Sequence, residues 1–349
     1  MARRKPAPKR INLALQGGGA HGAFTWGVLD ALLECDGIEI AGISGTSAGA
    51  LNGAAVKAGL SQGSRALAQD NLAWVWEQVG AIDDARVVPW MEAIAPMAIS
   101  RALEASPAFA LSDAVSRTIS PYASGPFYTN PLERIVERFH YDDICCLDRG
   151  PQFHICATNV RSGKIRLFTG DDIGPRAIMA SACLPTLFRA VEIADPVSGE
   201  MEAYWDGGYT GNPALFPLFA RDLPDDILVV NINPLFRDEV PTTARAIQNR
   251  INEISFNTSL LRELRAIDFV QRLLEDGKVP PGTMKRVLVH MVADDALMRQ
   301  LSVATKLIAT PATLHQLRAA GRAAAEAFLA ADLDRIGTES TVDLRAMFE

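Results

Sequence analysis

The chain has 349 residues, of which 48% are hydrophobic and 21% are charged, and its formal net charge is −7. A chain of this length and apolar content can bury a sizeable core, so we expect one large domain with appended segments. The acidic balance argues against a nucleic-acid partner. Because no uninterrupted run reaches 18 apolar residues, the sequence predicts no membrane-spanning helix.

The cysteines bear on the compartment in which the protein works. They are odd in number and form no C-x-x-C pair, and most lie in apolar surroundings. This pattern is typical of buried thiols and not of a disulfide framework. We therefore expect an intracellular, cytoplasmic protein. The five cysteines are Cys35, Cys145, Cys146, Cys156 and Cys183.

Residues 1–10 form a basic arm that carries five positive charges and no acidic residue. The apolar run after it is too short for a secretory signal. A solvated, disordered arm is the ordinary interpretation of such a charge run. The alternative is peripheral contact with an anionic membrane or a lipid granule, to which each basic residue near the surface adds ~1 kcal/mol. The charges are those of Arg3, Arg4, Lys5, Lys9 and Arg10.

A glycine loop follows the first predicted strand. Residues 11–16 alternate between apolar and small or polar side chains, which predicts a strand, and residues 23–33 carry apolar side chains at helical spacing. Between them, the run Gly17–Gly22 also matches the G-x-G-x-x-G pattern of dinucleotide-binding proteins. That function needs an acidic residue at the end of the next strand, whereas Glu39 lies near its start. Dinucleotide binding therefore stays the less favoured alternative.

The second predicted strand, residues 38–43, leads directly into Gly45-Thr46-Ser47-Ala48-Gly49. A G-x-S-x-G run between a strand and a helix is typical of a nucleophilic serine held exposed on a strained bend. Acyl transfer also needs backbone N–H donors for the oxyanion. A glycine run that ends the neighbouring parallel strand and opens a helix can supply them. The sequence therefore predicts an acyl-transfer serine with the two loops side by side.

Asp206 is the candidate base for this serine. It follows the strand-like run 201–205 and precedes two glycines that allow a sharp turn. A carboxylate with an ordinary pKa near ~4 is a poor base for a hydroxyl, so we expect burial to raise the pKa of Asp206. Taken alone, Asp-Gly-Gly is a common turn sequence. A Ser-Asp-His triad with His290 or His315 is a rival arrangement.

These three motifs together resemble the signature motifs of the patatin-like phospholipases, and the resemblance covers residues 11–235. It implies an α/β fold, a three-layer sandwich with a mainly parallel central sheet, and a dyad of Ser47 as nucleophile and Asp206 as base. It also implies no catalytic metal, no cofactor, and acyl esters of lipids as substrates. The implied oxyanion residues are Gly17, Gly18 and Gly19. The other motif glycines are Gly22, Gly45, Gly49, Gly207 and Gly208.

The sequence departs from the family pattern at His21, where the family commonly has Arg or Lys. A fixed positive charge near the oxyanion is therefore absent or pH-dependent in this chain, which makes His21 a candidate modulator. The histidines show no H-E-x-x-H or H-x-H spacing, so we expect no metal site.

The remaining segments are organised around the catalytic domain. Residues 64–125 predict a helical insertion whose large apolar side chains are interpreted as core, with a cap over the acyl site as the alternative. Residues 177–185 resemble the family's small-residue helix beside the active site. Residues 236–349 form a C-terminal extension packed on the same core, and its segment 242–276 predicts an amphipathic helix or helix pair facing the sheet. The side chains in question in the insertion are Trp74, Trp76, Trp90, Met91, Met97 and Phe109.

The expected function is therefore that of a serine lipid acyl hydrolase of the phospholipase A or esterase type. A thioesterase and a storage-polyester hydrolase use the same chemistry and stay open as alternatives. An inactive scaffold on a lipid surface is the alternative of another class. The head group, the acyl-chain length and the oligomeric state are left open by the sequence.

Overall fold

The computed structural model describes residues 7–84, 120–196, 198–280, 282–301, 303–307 and 309–349. Within these residues the chain alternates strands and helices, and the strands join one sheet. The strands are β1 (Lys9–Leu15), β2 (Ile38–Thr46), β3 (Gln152–Asn159), β4 (Ile165–Thr169), β5 (Val191–Ala194), β6 (Met201–Asp206), β7 (Asp226–Asn231) and β8 (Leu288–Ala293). The helices are α1 (Gly22–Glu34), α2 (Ala48–Ser61), α3 (Arg65–Asp84), α4 (Glu133–Val136), α5 (Tyr141–Ile144), α6 (Pro175–Ser181), α7 (Ala244–Glu275), α8 (Asp295–Gln300), α9 (Val303–Leu307), α10 (Pro311–Asp332) and α11 (Leu344–Phe348).

The sheet has the strand order β5-β6-β3-β2-β1-β7-β8, and β4 also pairs with β3. The five strands from β3 to β8 along this order are parallel to their neighbours. Strands β4, β5 and β6 add antiparallel pairs at one end. The predicted α/β class with a mainly parallel central sheet is confirmed.

Apolar clusters cover both faces of the sheet, which gives the three layers. Successive residues of a strand point to opposite faces. In β7, Leu228 and Val230 belong to the cluster that packs against α1, α2 and α10. Ile227 and Val229 belong to a second cluster, which includes Leu260 of α7. The continuous apolar run of β7 therefore reflects burial on both faces, as expected for a central parallel strand.

Strand register brings the serine and aspartate motifs to one place. Thr46, the last residue of β2, is aligned with Cys156 of β3. Asp206, the last residue of β6, is aligned with the next residue of β3, Ala157. The strands that lead to the two motifs therefore end opposite consecutive residues of β3. Because Ser47 comes directly after Thr46, the serine and the aspartate motifs lie on either side of this strand.

Part of the basic arm belongs to the first strand. β1 begins at Lys9, two residues before the strand expected from the sequence. The Lys9 ammonium donates to the carbonyls of Asp334 and Ile336, both at 2.7 Å. Arg10 pairs with Glu39 at 3.2 Å. These two cations therefore have partners within the fold, while Arg3, Arg4 and Lys5 lie outside the described residues.

The long amphipathic segment forms one unbroken helix, α7, and not a helix pair. Its C-terminal half packs on the sheet as expected, since Leu260 and Leu264 are fully buried. The expectation is wrong for its N-terminal half, where three isoleucines are 42–52% exposed. The apolar spacing is regular along the whole helix, but the sheet extends under only part of it. The exposed residues are Ile247, Ile251 and Ile254.

The predicted insertion 64–125 is described only in part, because 85–119 lie outside the described residues. Trp76 is 1% exposed and belongs to the core. Trp74 contacts the ring of Phe139 edge-on, with 6.1 Å between centroids. Four residues of the lid hypothesis lie outside the described residues, namely Trp90, Met91, Met97 and Phe109.

All five cysteines lie in the described residues and are free thiols, as expected. Cys156 and Cys183 are buried, and the other three are half-buried. Burial raises the pKa of Cys156 to about 11 and that of Cys183 to about 12, so both thiols stay protonated at neutral pH.

Candidate active site

Ser47 occupies the bend between β2 and α2 in a strained conformation. Its φ is 55° and its ψ is −121°, and it is the only non-glycine residue with positive φ in the described part of the chain. Such a conformation costs about 1–3 kcal/mol and persists only where surrounding contacts impose it. Here the Ser47 N–H donates to Ser181 Oγ at 2.8 Å, and Thr46 Oγ1 donates to the Gly211 carbonyl at 2.6 Å. The bend is therefore held from two sides.

The glycine loop and the serine bend are in direct contact. A Cβ on Gly17 would lie 2.6 Å from Ser47 Cβ and 2.8 Å from the Thr46 carbonyl oxygen. A Cβ on Gly49 would overlap the Leu15 carbonyl. Only glycine allows such close approaches at positions 17 and 49. The contact between the two loops therefore explains a glycine in each motif. Two further motif glycines have similarly close neighbours in the first turn of α2. A Cβ on Gly45 would meet the backbone of Gly49, and a Cβ on Gly22 would meet the methyl group of Ala48.

Asp206 lies at the end of β6 and is 1% exposed. Its Oδ1 accepts from the Gly208 N–H at 2.7 Å, and its own N–H donates to the Cys183 carbonyl at 2.8 Å. Its Oδ2 is buried and has no partner with full hydrogen-bond geometry among the described residues. Gly207 packs against the Cys156 carbonyl, so the backbone after the aspartate also approaches β3 closely.

Burial raises the pKa of Asp206 to about 7. Hydrogen bonding from the Gly208 N–H and from the Ser47 hydroxyl lowers the pKa, but less than burial raises it. Burial therefore dominates the pKa of this carboxyl group.

The three glycines expected in the oxyanion hole are not equivalent. The Gly17 N–H donates to Asn212 Oδ1 at 2.7 Å, so it is not available to an oxyanion and the sequence-based expectation for this residue is corrected. The N–H groups of Gly18 and Gly19 have no protein acceptor in the described part of the chain. Gly19 adopts a φ of 60°, and a Cβ there would overlap the Lys306 carbonyl.

Gln16 is a buried polar residue that the motif analysis missed. Its Oε1 accepts from the N–H groups of Ile232 and Asn233 at 2.9 and 3.1 Å. Its Nε2 donates to the Asn212 carbonyl and to Asn257 Oδ1, both at 3.3 Å. One side chain thus joins the glycine loop to the end of β7, to the turn after Asp206 and to α7. An isolated amide at the end of an apolar strand is the only sequence signal for it.

Asn212 and Asn233 bind the backbone of Gly17, the first residue of the glycine loop, through the peptide groups before and after it. Asn212 accepts from the Gly17 N–H, and Asn233 Nδ2 donates to the Gly17 carbonyl at 2.8 Å. Both side chains are fully buried. Asn212 lies in the Gly211–Pro213 run that follows the aspartate motif, whereas nothing in the sequence marks Asn233. Ser181 likewise comes from the small-residue helix expected beside the site.

His21 is buried and uncharged at neutral pH. Its Nε2 lies 2.8 Å from Thr305 Oγ1, and its Nδ1 has no partner among the described residues. Burial, with contributions from the positive charges of Lys306 and Arg237, lowers the pKa of His21 well below its usual value. Of the two options that the sequence left open at this position, the structure favours the absence of a charge.

The rival triad is not formed in the described residues. His290 lies in β8, where its Nε2 is 3.0 Å from Asp226 Oδ1 and its Nδ1 is 3.3 Å from Thr341 Oγ1. Its carboxylate partner is therefore Asp226 and not Asp206. His315 lies on α10 beside the Trp26 ring, with 6.3 Å between centroids. Both histidines have structural neighbours of their own.

The described residues also bear on metal binding and on membrane insertion. No group of three or more His, Cys, Asp or Glu side chains in the described residues is arranged to hold a metal ion. Among the same residues, no helix combines the length and the apolar character needed to cross a membrane.

The model of the patatin-like phospholipase family matches residues 13–219, more than half of the chain. The chain therefore belongs to the patatin-like phospholipase family, and this membership supports a lipid hydrolase. The match contains the glycine loop, Ser47 and Asp206, but it ends before Asn233 and Lys306. A comparison with curated proteins finds no match.

Solved structures show a weak similarity. VipD from Legionella pneumophila matches 90% of this chain and 67% of its own, with 13% identity and a TM-score of 0.34. The type III effector ExoU matches 96% of this chain and 54% of its own, with 17% identity and a TM-score of 0.35. ExoU in its complex with SpcU, from the type III secretion system of Pseudomonas aeruginosa, matches 98% of this chain and 65% of its own, with 18% identity and a TM-score of 0.28. Scores of this size carry no argument.

Proposed function

We propose that the protein is a serine hydrolase of lipid carboxyl esters, with Ser47 as nucleophile and Asp206 as general base. The observation that carries the proposal is the pairing of a strained serine with a buried carboxylate that has one unpartnered oxygen. An unsatisfied buried acceptor costs about 1–3 kcal/mol, and a role in accepting the serine proton would explain why this oxygen is left without a partner. Family membership supports lipids as the substrate class.

The first half of the reaction forms an acyl-enzyme. Ser47 Oγ attacks the acyl carbonyl while its proton passes to Asp206 Oδ2. The tetrahedral oxyanion accepts hydrogen bonds from the Gly18 and Gly19 N–H groups. When the intermediate collapses, the proton moves from Asp206 to the departing alcohol oxygen. A pKa of about 7 suits this exchange, since a base is most effective when its pKa is near the working pH.

The second half releases the fatty acid. A water molecule gives its proton to Asp206 and attacks the acyl ester of Ser47, and the same two N–H groups stabilise the second oxyanion. The proton then returns to Ser47 Oγ as the acid departs. The strained bend supports both halves, because it fixes the hydroxyl between the base and the glycine loop before substrate arrives.

The alternatives differ in substrate or in class. A thioesterase or a storage-polyester hydrolase would use the same residues on other acyl groups. An inactive scaffold would bind lipid without turnover. A dinucleotide-binding protein would be stabilised by nucleotide, so a flat melting-temperature titration with nucleotides would exclude it.

The test is covalent labelling of the purified protein by a fluorophosphonate probe. We expect one label, on Ser47, and its loss in Ser47→Ala and in Asp206→Asn. Hydrolysis over phospholipids, triglycerides, acyl-thioesters and short p-nitrophenyl esters then identifies the substrate class. Ser162→Ala, in the exposed turn between β3 and β4, is the matched serine control and keeps both labelling and activity. Full activity in Ser47→Ala would end the proposal.

A further inference from the structure

A cationic side chain from the C-terminal part of the chain lies beside the glycine loop. Lys306, in α9, places its carbonyl oxygen against Gly19. Its ammonium donates to Asn233 Oδ1 at 2.9 Å. His21, which stands where the family commonly has a cation, is neutral and contacts Thr305 of the same helix. The loop therefore has a positive charge nearby, but the charge comes from position 306 and not from position 21.

The contacts of Lys306 lead to one specific peptide group. By accepting from the ammonium, Asn233 Oδ1 fixes its side-chain amide so that Nδ2 points to the Gly17 carbonyl, 2.8 Å away. That carbonyl and the Gly18 N–H belong to the same peptide unit. A hydrogen bond to the carbonyl polarises the peptide and makes its N–H a stronger donor, and hydrogen bonds in such chains strengthen one another.

Lys306 lies in a cavity lined by charged residues. It lines this cavity, of about 380 Å³, together with residues from α7, α8 and the segment after β7. Glu253 is a compensating carboxylate in this cavity, and it is already paired with Arg237 at 2.6 Å and Arg250 at 3.3 Å. The charged and titratable groups that face Lys306 are His21, Arg237, Glu239, Arg250, Glu253 and Arg299.

We propose that Lys306 is a positioning residue of the oxyanion hole. Acting through Asn233, its ammonium polarises the Gly17–Gly18 peptide and strengthens the Gly18 N–H toward the developing oxyanion. This proposal rests on the proposed hydrolase function. It places a part of the site 87 residues beyond residue 219, where the family match ends.

The test uses Lys306→Met, which removes the charge and keeps the length of the side chain, and Lys306→Arg, which keeps the charge. Removing one oxyanion donor costs about 100-fold to 1,000-fold in turnover, so weakening one should cost about 10-fold to 100-fold. We expect this loss in kcat for Lys306→Met, with KM little changed, and recovery of most of it in Lys306→Arg.

The inhibition constant of a trifluoromethyl ketone provides a second measurement, which would not change if Lys306 had only a structural role. The ketone forms a hemiketal with Ser47 whose oxygen occupies the oxyanion hole. Its inhibition constant should rise in Lys306→Met by the same factor by which kcat/KM falls, because both report binding of the oxyanion. A fall in kcat/KM without a rise in this constant would overturn the proposal.

Arg299→Met is the matched control. Arg299 lines the same cavity and carries the same charge, but its guanidinium pairs with Asp238 at 3.2 Å. If the effect is specific to the contact with Asn233, Arg299→Met keeps the native kcat. An equal loss in both variants would mean a general electrostatic field and would also overturn the proposal.

The native enzyme gives a test that needs no variant. Burial, with the positive charge of Arg237, lowers the pKa of Lys306 to about 8 despite the opposing effect of Glu253. Turnover should therefore fall as pH rises through about 8, and in Lys306→Arg it should stay high. A native rate that is flat up to pH ~9.5 contradicts the proposal. If Ser47→Ala stays active or is still labelled by the fluorophosphonate probe, the hydrolase assignment itself fails. This outcome differs from failure of the Lys306 proposal alone, in which Ser47→Ala is inactive and unlabelled.

Discussion

Conformational strain at Ser47 connects the backbone to the chemistry. Its φ of 55° is one that a side chain with a Cβ avoids, and the hydrogen bond to Ser181 holds it there. In the proposed mechanism the same bend presents the hydroxyl to the base Asp206. The strain then lies at the proposed nucleophile, and exchange of stability for activity is common at functional sites.

The strain predicts a difference between two inactive variants. The free energy of unfolding, measured by urea denaturation, should be higher for Ser47→Gly than for Ser47→Ala by about 1 kcal/mol. The reason is that glycine adopts the positive φ without cost. Both variants lack the hydroxyl, so their difference isolates the backbone. Equal stabilities would show that the bend is not strained.

The pKa of Asp206 predicts the acid limb of the rate profile. The base must be ionised to accept the serine proton, so kcat/KM should rise with pH through an apparent pKa near 7, before the fall expected near pH 8 from Lys306. The measurement is hydrolysis of a p-nitrophenyl ester between pH 5 and 8, with absorbance corrected for nitrophenol ionisation. A midpoint near 4 would mean that the carboxylate is not buried during turnover.

The same pKa predicts how stability depends on pH. Because the folded-state value, about 7, exceeds the ordinary 3.8, the folded protein holds this proton more tightly than the unfolded chain. The resulting stability is complete below pH ~4 and is lost as pH rises through ~7. Asp206→Asn should therefore exceed the native protein in stability at pH 8.5, by up to about 4 kcal/mol, and lose this advantage at pH 4.

Urea unfolding of both proteins at the two pH values measures this effect. Glu263, whose pKa burial also raises to about 7, is present in both proteins and cancels in the difference. A gap of the same size at both pH values would contradict the prediction.

Individual motif residues could be predicted from the sequence, and their supports could not. Ser47 and Asp206 lie in short runs whose glycines restrict what the backbone can do, so local sequence carries the signal. Gln16, Asn233 and Lys306 act through contacts between distant segments, and a lone amide or lysine has no local signature. The role of Gly17 was misjudged for the same reason, since its N–H is occupied by Asn212 from another loop.

At the scale of elements, helix α1 and helix α10 pack with their backbones almost touching. A Cβ on Gly321 of α10 would overlap the carbonyl of Phe24 in α1, and a Cβ on Gly27 of α1 would overlap the carbonyl of Arg318 in α10. Paired glycines therefore set the distance between the two helices.

This contact predicts an effect opposite to helix propensity. In an isolated helix, Gly→Ala is favourable by about 1 kcal/mol. Gly321→Ala should instead lower the free energy of unfolding by at least about 2 kcal/mol, because the two backbones must separate. Chemical denaturation measures it, and Gly174→Ala, at a position with no atom within 4 Å, is the control with little change. A stabilised Gly321→Ala would refute the close packing.

Elements with a regular period were predicted well. The strand predicted at 11–16 and the helix predicted at 23–33 agree with the structure to within one or two residues at each end. The N-terminal half of α7 was misjudged because periodicity shows which residues share a face, but not what covers that face. Its exposed isoleucines follow the same spacing as the buried leucines of the other half.

At the scale of the whole molecule, the sheet is completed by strands from outside the family match. β1, which precedes the glycine loop, lies between β2 and β7. β7 and β8 come after residue 219, where the match ends. A fragment restricted to residues 1–219 would therefore leave β1 as an exposed apolar edge strand, which favours aggregation.

We expect that fragment to be insoluble or to lack cooperative unfolding, whereas the chain of 349 residues unfolds cooperatively. Circular dichroism during thermal unfolding, with gel filtration, compares the two. A monomeric fragment with a sharp transition would show that β7, β8 and their helices are dispensable. Retained hydrolysis by such a fragment would also remove the need for Lys306.

The two-ended amide of Gln16 has a consequence for protein engineering. Its oxygen accepts hydrogen bonds from one segment, and its nitrogen donates to two others. A carboxylate or a hydrocarbon side chain at this position would therefore leave at least one neighbouring group without its hydrogen bond. A glycine loop transplanted from a related hydrolase would arrive without this arrangement. Such chimeras should therefore exchange the loop together with residues 212, 233 and 257 as a single unit.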